Sequence, residues 1–181
     1  MASRYMPYRA PIMAILISPM IVPMIISAAG MFFFFSKYHL TQTFTGVILA
    51  HTVLGIPFVV ITVTATMSGF DHTLTRAAAS LGAAPVRTFF KVVLPLVTPG
   101  VVSGALFAFI TSFDEVVVLL FMAGPQQRTI PRQMFSGLRE QINPSILAIA
   151  TLLILVSIAL LVTLELLRRR SERLRGVELI E

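Results

Sequence analysis

The sequence contains no cysteine, which excludes a disulfide scaffold, a thiolate metal site and a cysteine nucleophile. Charge is scarce too: Asp, Glu, Lys and Arg make up 12% of the 181 residues, about half the share of an ordinary soluble domain. A water-soluble globule is therefore a poor fit. The ten glycines are scattered without a period, which excludes collagen, and a chain 56% hydrophobic buries far more apolar surface than a disordered one could. No Walker A sequence, no His-Glu-x-x-His and no Gly-x-Ser-x-Gly occurs, so no nucleotide-hydrolysing, metal-hydrolase or acyl-transfer site is visible. The sequence offers no catalytic residue, metal ligand set or cofactor motif of its own.

What is present is a series of long uncharged runs, with a mean hydropathy of +0.90. A helix needs about 20 apolar residues to cross a hydrocarbon core of roughly 30 Å. Windows at 11–35, 44–68, 94–122 and 145–167 satisfy that length. The predicted fold is an all-α membrane protein of four transmembrane helices in a single domain. The first window follows Arg4 and Arg9 as a signal peptide would, yet its apolar run is about twice the 7–15 residues of such a segment. Pro19, Pro23 and Gly30 inside it predict one kinked span held by neighbouring helices.

The formal charge of +6 and the pI near 10.8 would suggest nucleic acid if the bases lined a soluble face. Here they sit between the uncharged runs, as topology signals do. One side carries ten: Arg4, Arg9, Arg76, Arg87, Lys91, Arg168, Arg169, Arg170, Arg173 and Arg175. The other carries four: Lys37, Arg128, Arg132 and Arg139. Both termini and the segment 69–93 are thus expected on the cytoplasmic side, with 37–43 and 124–144 outside. The arginines of the tail are placed to meet anionic membrane lipid.

The segment 69–93 is the most informative stretch. Leu74, Ala78 and Leu81 fall on one face of a short helix that Gly82 can end with positive φ. Pro85 disfavours helix at Ala84 and suits the first turn of a second helix, so two short helices with a sharp bend are expected. Ala77, Ala78 and Ala79 leave room for another protein to approach. The rival reading is an amphipathic connector lying on the membrane through Phe89, Phe90, Arg87 and Lys91.

This stretch resembles the cytoplasmic motif of ATP-binding-cassette importer permeases: Glu-Ala-Ala, three residues, Gly, nine residues, Ile, one residue, Leu-Pro. The chain matches it at Ala77, Ala78, Gly82, Leu94 and Pro95, with Val92 for Ile and Arg76 in place of the motif Glu. The resemblance extends to Ile17-Ser-Pro-Met-Ile-Val-Pro23, Ser112-Phe-Asp-Glu115, Arg128-Thr-Ile-Pro131 and Asn143-Pro144, and is strongest to permeases of spermidine/putrescine importers. It implies a type I importer subunit in a bacterial inner membrane that lines part of the path of a small solute, a polyamine by preference. Arg76, Ala77, Ala78, Gly82, Pro85, Leu94 and Pro95 would couple it to a separate ATPase subunit, which would use the ATP. The other implied partners are a second permease subunit and a periplasmic or extracellular solute-binding protein. Such permeases usually have six spans, and this chain corresponds to the last four, as a shortened subunit or a fragment would. A non-transporting membrane fragment and a permease for another small solute are the alternatives.

Carboxylates inside a span cost roughly 2.5–3.5 kcal/mol each at a helix centre, which makes Asp114 and Glu115 functional candidates. Two readings stand side by side: a group attracting a cationic solute at the outer part of the path, or a structural ion pair or helix cap. His51 is expected to hydrogen-bond across a helix interface, and Thr62, Thr64 and Thr66 to serve packing. Met134, Phe135 and Leu138 predict a short interfacial helix over 133–141, where a binding protein could dock or which could be a plain connector.

Overall fold

In the computed structural model, residues 8–140 and 144–173 are described, and all regular structure among them is helical. Arg4, Gln141, Asn143 and Arg175 lie outside the described residues. The chain divides into two compact units, residues 1–132 and 133–181.

The first unit opens with α1 (Arg9–Ile21) and α2 (Met24–Lys37). Where one kinked span is expected over 11–35 there are two helices, with axes bent by 111° at the break. The cause is local. Val22 precedes a proline and is forced out of the helical region (φ −73°, ψ 135°). Pro23 then starts α2, and its carbonyl accepts the N–H groups of Ile26 and Ser27.

α3 (Phe44–Ser68) is 25 residues long with a mean hydropathy of 2.2, enough to cross a membrane. Its start is fixed by Thr43, whose hydroxyl accepts the Gly46 N–H at 3.0 Å and donates to the Leu40 carbonyl at 2.7 Å. Next come α4 (Thr73–Ser80), α5 (Pro85–Thr88), one wide π-helical turn (Phe89–Val93) and α6 (Leu94–Phe113). From Pro85 to Phe113 these last three form one 29-residue apolar helix. The helix of this span therefore begins at Pro85, inside the segment 69–93, and α4 alone is a separate short helix. The π turn has a cause in Pro95, which offers no N–H to the preceding turn and whose ring presses on the carbonyl four residues back. The Leu94 N–H accordingly bonds the Phe89 carbonyl, five residues away.

A second departure lies at the far end. The helix expected to continue to residue 122 stops at Phe113, and α7 (Val117–Met122) starts afresh after Asp114, Glu115 and Val116. α2 packs on α7, α1 on α3, and α3 most extensively on α6. Ala28, Phe35, Ala50, Leu54, Val118 and Met122 form the buried core where α2, α3 and α7 meet. α8 (Ile130–Glu140) follows, as the Met134-Phe135 pattern predicts. In the second unit Gly137 of α8 lies close to Ile146 of α9 (Pro144–Arg173), whose stretch Ile146–Thr163 has a mean hydropathy of 2.9 and spanning length. Among the described residues three helices are thus long and apolar enough to span, or four with the broken pair counted as one span.

Candidate functional site

The bend after α4 takes the form the spacing predicts. Gly82 has φ +76°, a left-handed conformation that glycine alone enters without penalty, and it follows Leu81 at the helix end. Ala84 is extended and Pro85 occupies the first turn of α5. Arg76, Ala77 and Ala78 lie on α4, whereas Leu94 and Pro95 lie at the start of α6, below the π turn on which α4 packs. The motif residues thus lie on one short helix, at the bend that ends it and at the start of α6, with α4 packed on α5 and the π turn between. Leu81 is 88% exposed, and Val86, Phe89 and Phe90 are exposed beside it.

The start of α4 is held by Asp71. Its carboxylate accepts the Thr73 hydroxyl at 2.6 Å and the Thr73 N–H at 2.8 Å. These bonds, with the hydroxyl contributing most, hold Asp71 below the usual carboxylate range.

Behind the bend, α3 and α6 meet along a seam of small residues. A Cβ on Gly104 would overlap the Thr62 hydroxyl and stand 2.7 Å from the Val59 Cα; one on Gly100 would overlap the Thr66 hydroxyl and stand 2.9 Å from the Thr62 carbonyl. A Cβ on Gly55 would lie 3.0 Å from that of Ala108. Thr62 and Thr66 return their hydroxyls to their own helix, at 2.9 Å from the Phe58 and Thr62 carbonyls, so they pack without exposing a polar group. Sequence reasoning assigned these threonines to packing and missed the glycines opposite, although Gly100-x-x-x-Gly104 is the small-residue spacing of close helix pairs.

Further along the seam, His51 Nδ1 and the Ser112 hydroxyl are 2.7 Å apart, the interhelical bond expected of a lone histidine in a span. Both line a largely apolar cavity of about 820 Å³ bounded by α3, α6, Thr129 and the start of α8, to which Thr52 and Thr129 are the other polar contributors. His51 Nε2 is buried with no hydrogen-bond partner.

Asp114 and Glu115 do not share a continuous helix. Asp114 is exposed at the end of α6. Glu115 is 5% exposed, and its Oε1 accepts the Val118 N–H at 2.6 Å, three residues on, as the capping group of α7. Of the two readings of the pair, Glu115 has the geometry of the helix cap. Nearby, the Gln42 N–H bonds the Met122 carbonyl at 2.8 Å, which ties the turn before α3 to the end of α7, and Arg132 Nη1 of α8 bonds the Gly124 carbonyl at 3.1 Å in the turn after α7. Among the described residues no group of three or more His, Asp or Glu could hold a metal ion.

The comparison with known proteins decides the class. Residues 1–174 match the family described as the inner membrane component of binding-protein-dependent transport systems. The chain belongs to this family. Among curated relatives, this inner membrane component is 35% identical over 152 residues to a spermidine/putrescine transport system permease protein of Haemophilus influenzae. That alignment covers 84% of this chain and 59% of the relative. The Escherichia coli K12 protein of the same description is 31% identical over 150 residues, 83% of this chain and 57% of the relative. A putrescine transport system permease protein of that strain is 37% identical over 106 residues, 59% of this chain and 38% of the relative. The chain spans about three fifths of the length of the first two. It is a multi-pass membrane protein, all helical among the described residues.

Proposed function

We propose that this chain is a wall-forming subunit of an ATP-driven importer, that it takes its motion from a separate ATPase subunit through residues 71–91, and that the solute is a polyamine such as putrescine or spermidine. The observation that carries the coupling role is the bend at Gly82, with φ +76° between α4 and the proline-started span helix. The polyamine assignment rests on the relatives, whose descriptions name spermidine and putrescine. The chain has no nucleotide-hydrolysing motif of its own, so ATP belongs to the partner. The remaining partners are a second permease subunit and a solute-binding protein on the outer face. The bend faces the cytoplasm, with both chain ends on that side, as the distribution of basic residues supports.

The test is reconstitution of the chain in proteoliposomes with the second permease subunit, ATPase and binding protein of its importer. ATP-dependent uptake of labelled putrescine or spermidine is the expected result. Uptake of an anionic or neutral solute in its place would remove the polyamine assignment. Orientation is read independently on a background that lacks cysteine: Ser136→Cys should react with an impermeant reagent in intact cells and Ser80→Cys should not, and the reverse pattern would overturn the topology.

A further inference from the structure

The exposed side of α4 carries a charge. Thr75 and Ala78 are the partly buried residues of α4, and the helix packs against α5 and the π turn. Arg76 is two residues from Ala78, about 200° around the helix, and is exposed with Ala77, Ala79 and Ser80. Its side chain therefore stands on the face turned away from the span. The segment 69–93 contains Arg76, Arg87 and Lys91 against one carboxylate, Asp71. Both oxygens of that carboxylate are taken by Thr73, and Arg76 acts on it only through space.

We infer that the ATPase subunit serving this chain presents an Asp or Glu carboxylate to Arg76, so that the contact is an arginine–carboxylate pair of fixed polarity beside the exposed Leu81. Charge complementarity carries the choice of occupant: an exposed guanidinium, the planar donor that fits a carboxylate in two parallel bonds, sits on the outward face of a helix whose nearest carboxylate, Asp71, is bonded to Thr73 instead. Anionic lipid is the competing occupant, but the groups placed to meet it are Phe89, Phe90 and Lys91, at the head of the spanning helix. The inference rests on the coupling role proposed above and adds the sign of the partner's groove.

The experiment uses the chain assembled with its second permease subunit in nanodiscs of neutral lipid, titrated with the purified ATPase subunit of the same importer. Arg76→Glu is expected to weaken binding by about tenfold or more, and Arg76→Gln by less, the loss shrinking at high salt. Arg76→Lys should retain binding, and a zero-length carbodiimide should join it to an Asp or Glu of the ATPase subunit, located by peptide mapping. Reversing that partner carboxylate to Lys should restore binding to Arg76→Glu. Equal or tighter binding by Arg76→Glu, or a loss seen only in discs of anionic lipid, would overturn the inference while leaving the coupling role intact. No binding of the ATPase subunit by the unmodified assembly would overturn the coupling role itself.

Discussion

Gly104→Ala is the sharpest probe of the architecture, because one methyl group is set against a helix backbone. The new Cβ would lie 2.7 Å from the Val59 Cα and 3.3 Å from the Phe58 carbonyl, besides overlapping the Thr62 hydroxyl. Ordinary carbon contacts begin near 3.5 Å. The threonine could rotate away, but the backbone of α3 cannot, so the helices must part along the seam. Inserting a methylene into a packed interface costs typically 1–3 kcal/mol. In lipid, where helix association rests on close packing, no water-driven term offsets that loss. Alanine also has an intrinsic helix advantage over glycine of about 0.5–1 kcal/mol, which against a packing cost of about 1–3 kcal/mol leaves a net loss of about 0.5–2 kcal/mol. Gly30→Ala is the internal control: nothing stands within 4 Å of its Cβ, and the helix advantage should appear there as a small gain. The assay is reversible unfolding in mixed micelles followed by circular dichroism. Adding Thr62→Ala should recover only part of the loss, because Val59 remains. A Gly104→Ala protein as stable as Gly30→Ala would refute the close seam.

Three further outcomes follow from the same geometry. Gly82→Val, forced to a φ of +76°, should cost roughly 1–2 kcal/mol locally and separate ATP hydrolysis from uptake in the reconstituted importer; normal coupling in that variant would count against the bend. Glu115→Ala leaves the Val118 N–H buried and unpaired and should cost about 1–3 kcal/mol of stability, whereas Glu115→Gln keeps an acceptor and should cost much less; equal losses in the two would refute the cap. The Asp71 carboxylate, depressed by Thr73, stabilises the start of α4 above its unfolded pKa near 3.9, and that contribution is lost as pH falls through the depressed value. Helical carbon shifts of α4 should therefore decline on acidification in the native chain and show no such decline in Asp71→Ala.

How much of this could be read from the sequence depends on how local the cause is. The bend at Gly82 and Pro85 and the packing role of the span threonines, whose hydroxyls return to their own helix, follow from a few adjacent residues. The division of the first window at Val22 also has a local cause, yet prolines in spans are often absorbed as kinks, and composition alone does not say which outcome the neighbours enforce. α1 resting on α3 while α2 rests on α7 is that enforcement. Glu115 illustrates the opposite limit. Hydropathy made the stretch through it one span, and only the partner of its carboxylate, the Val118 N–H, reveals a helix beginning there. The closeness of Gly104 to Val59 likewise arises between helices about 45 residues apart in sequence.

The continuity of the helix from Pro85 to Phe113 makes it a beam. Its 29 residues measure about 43 Å at 1.5 Å per residue, with the α4 bend at one end and the exposed Asp114 at the other. A tilt of about 5° around its middle would carry each end roughly 2 Å, in opposite directions, for a helix of that length. Since the glycine–threonine seam leaves α6 no room to slide across α3, α3 would have to swing with it as the second plank of the same beam.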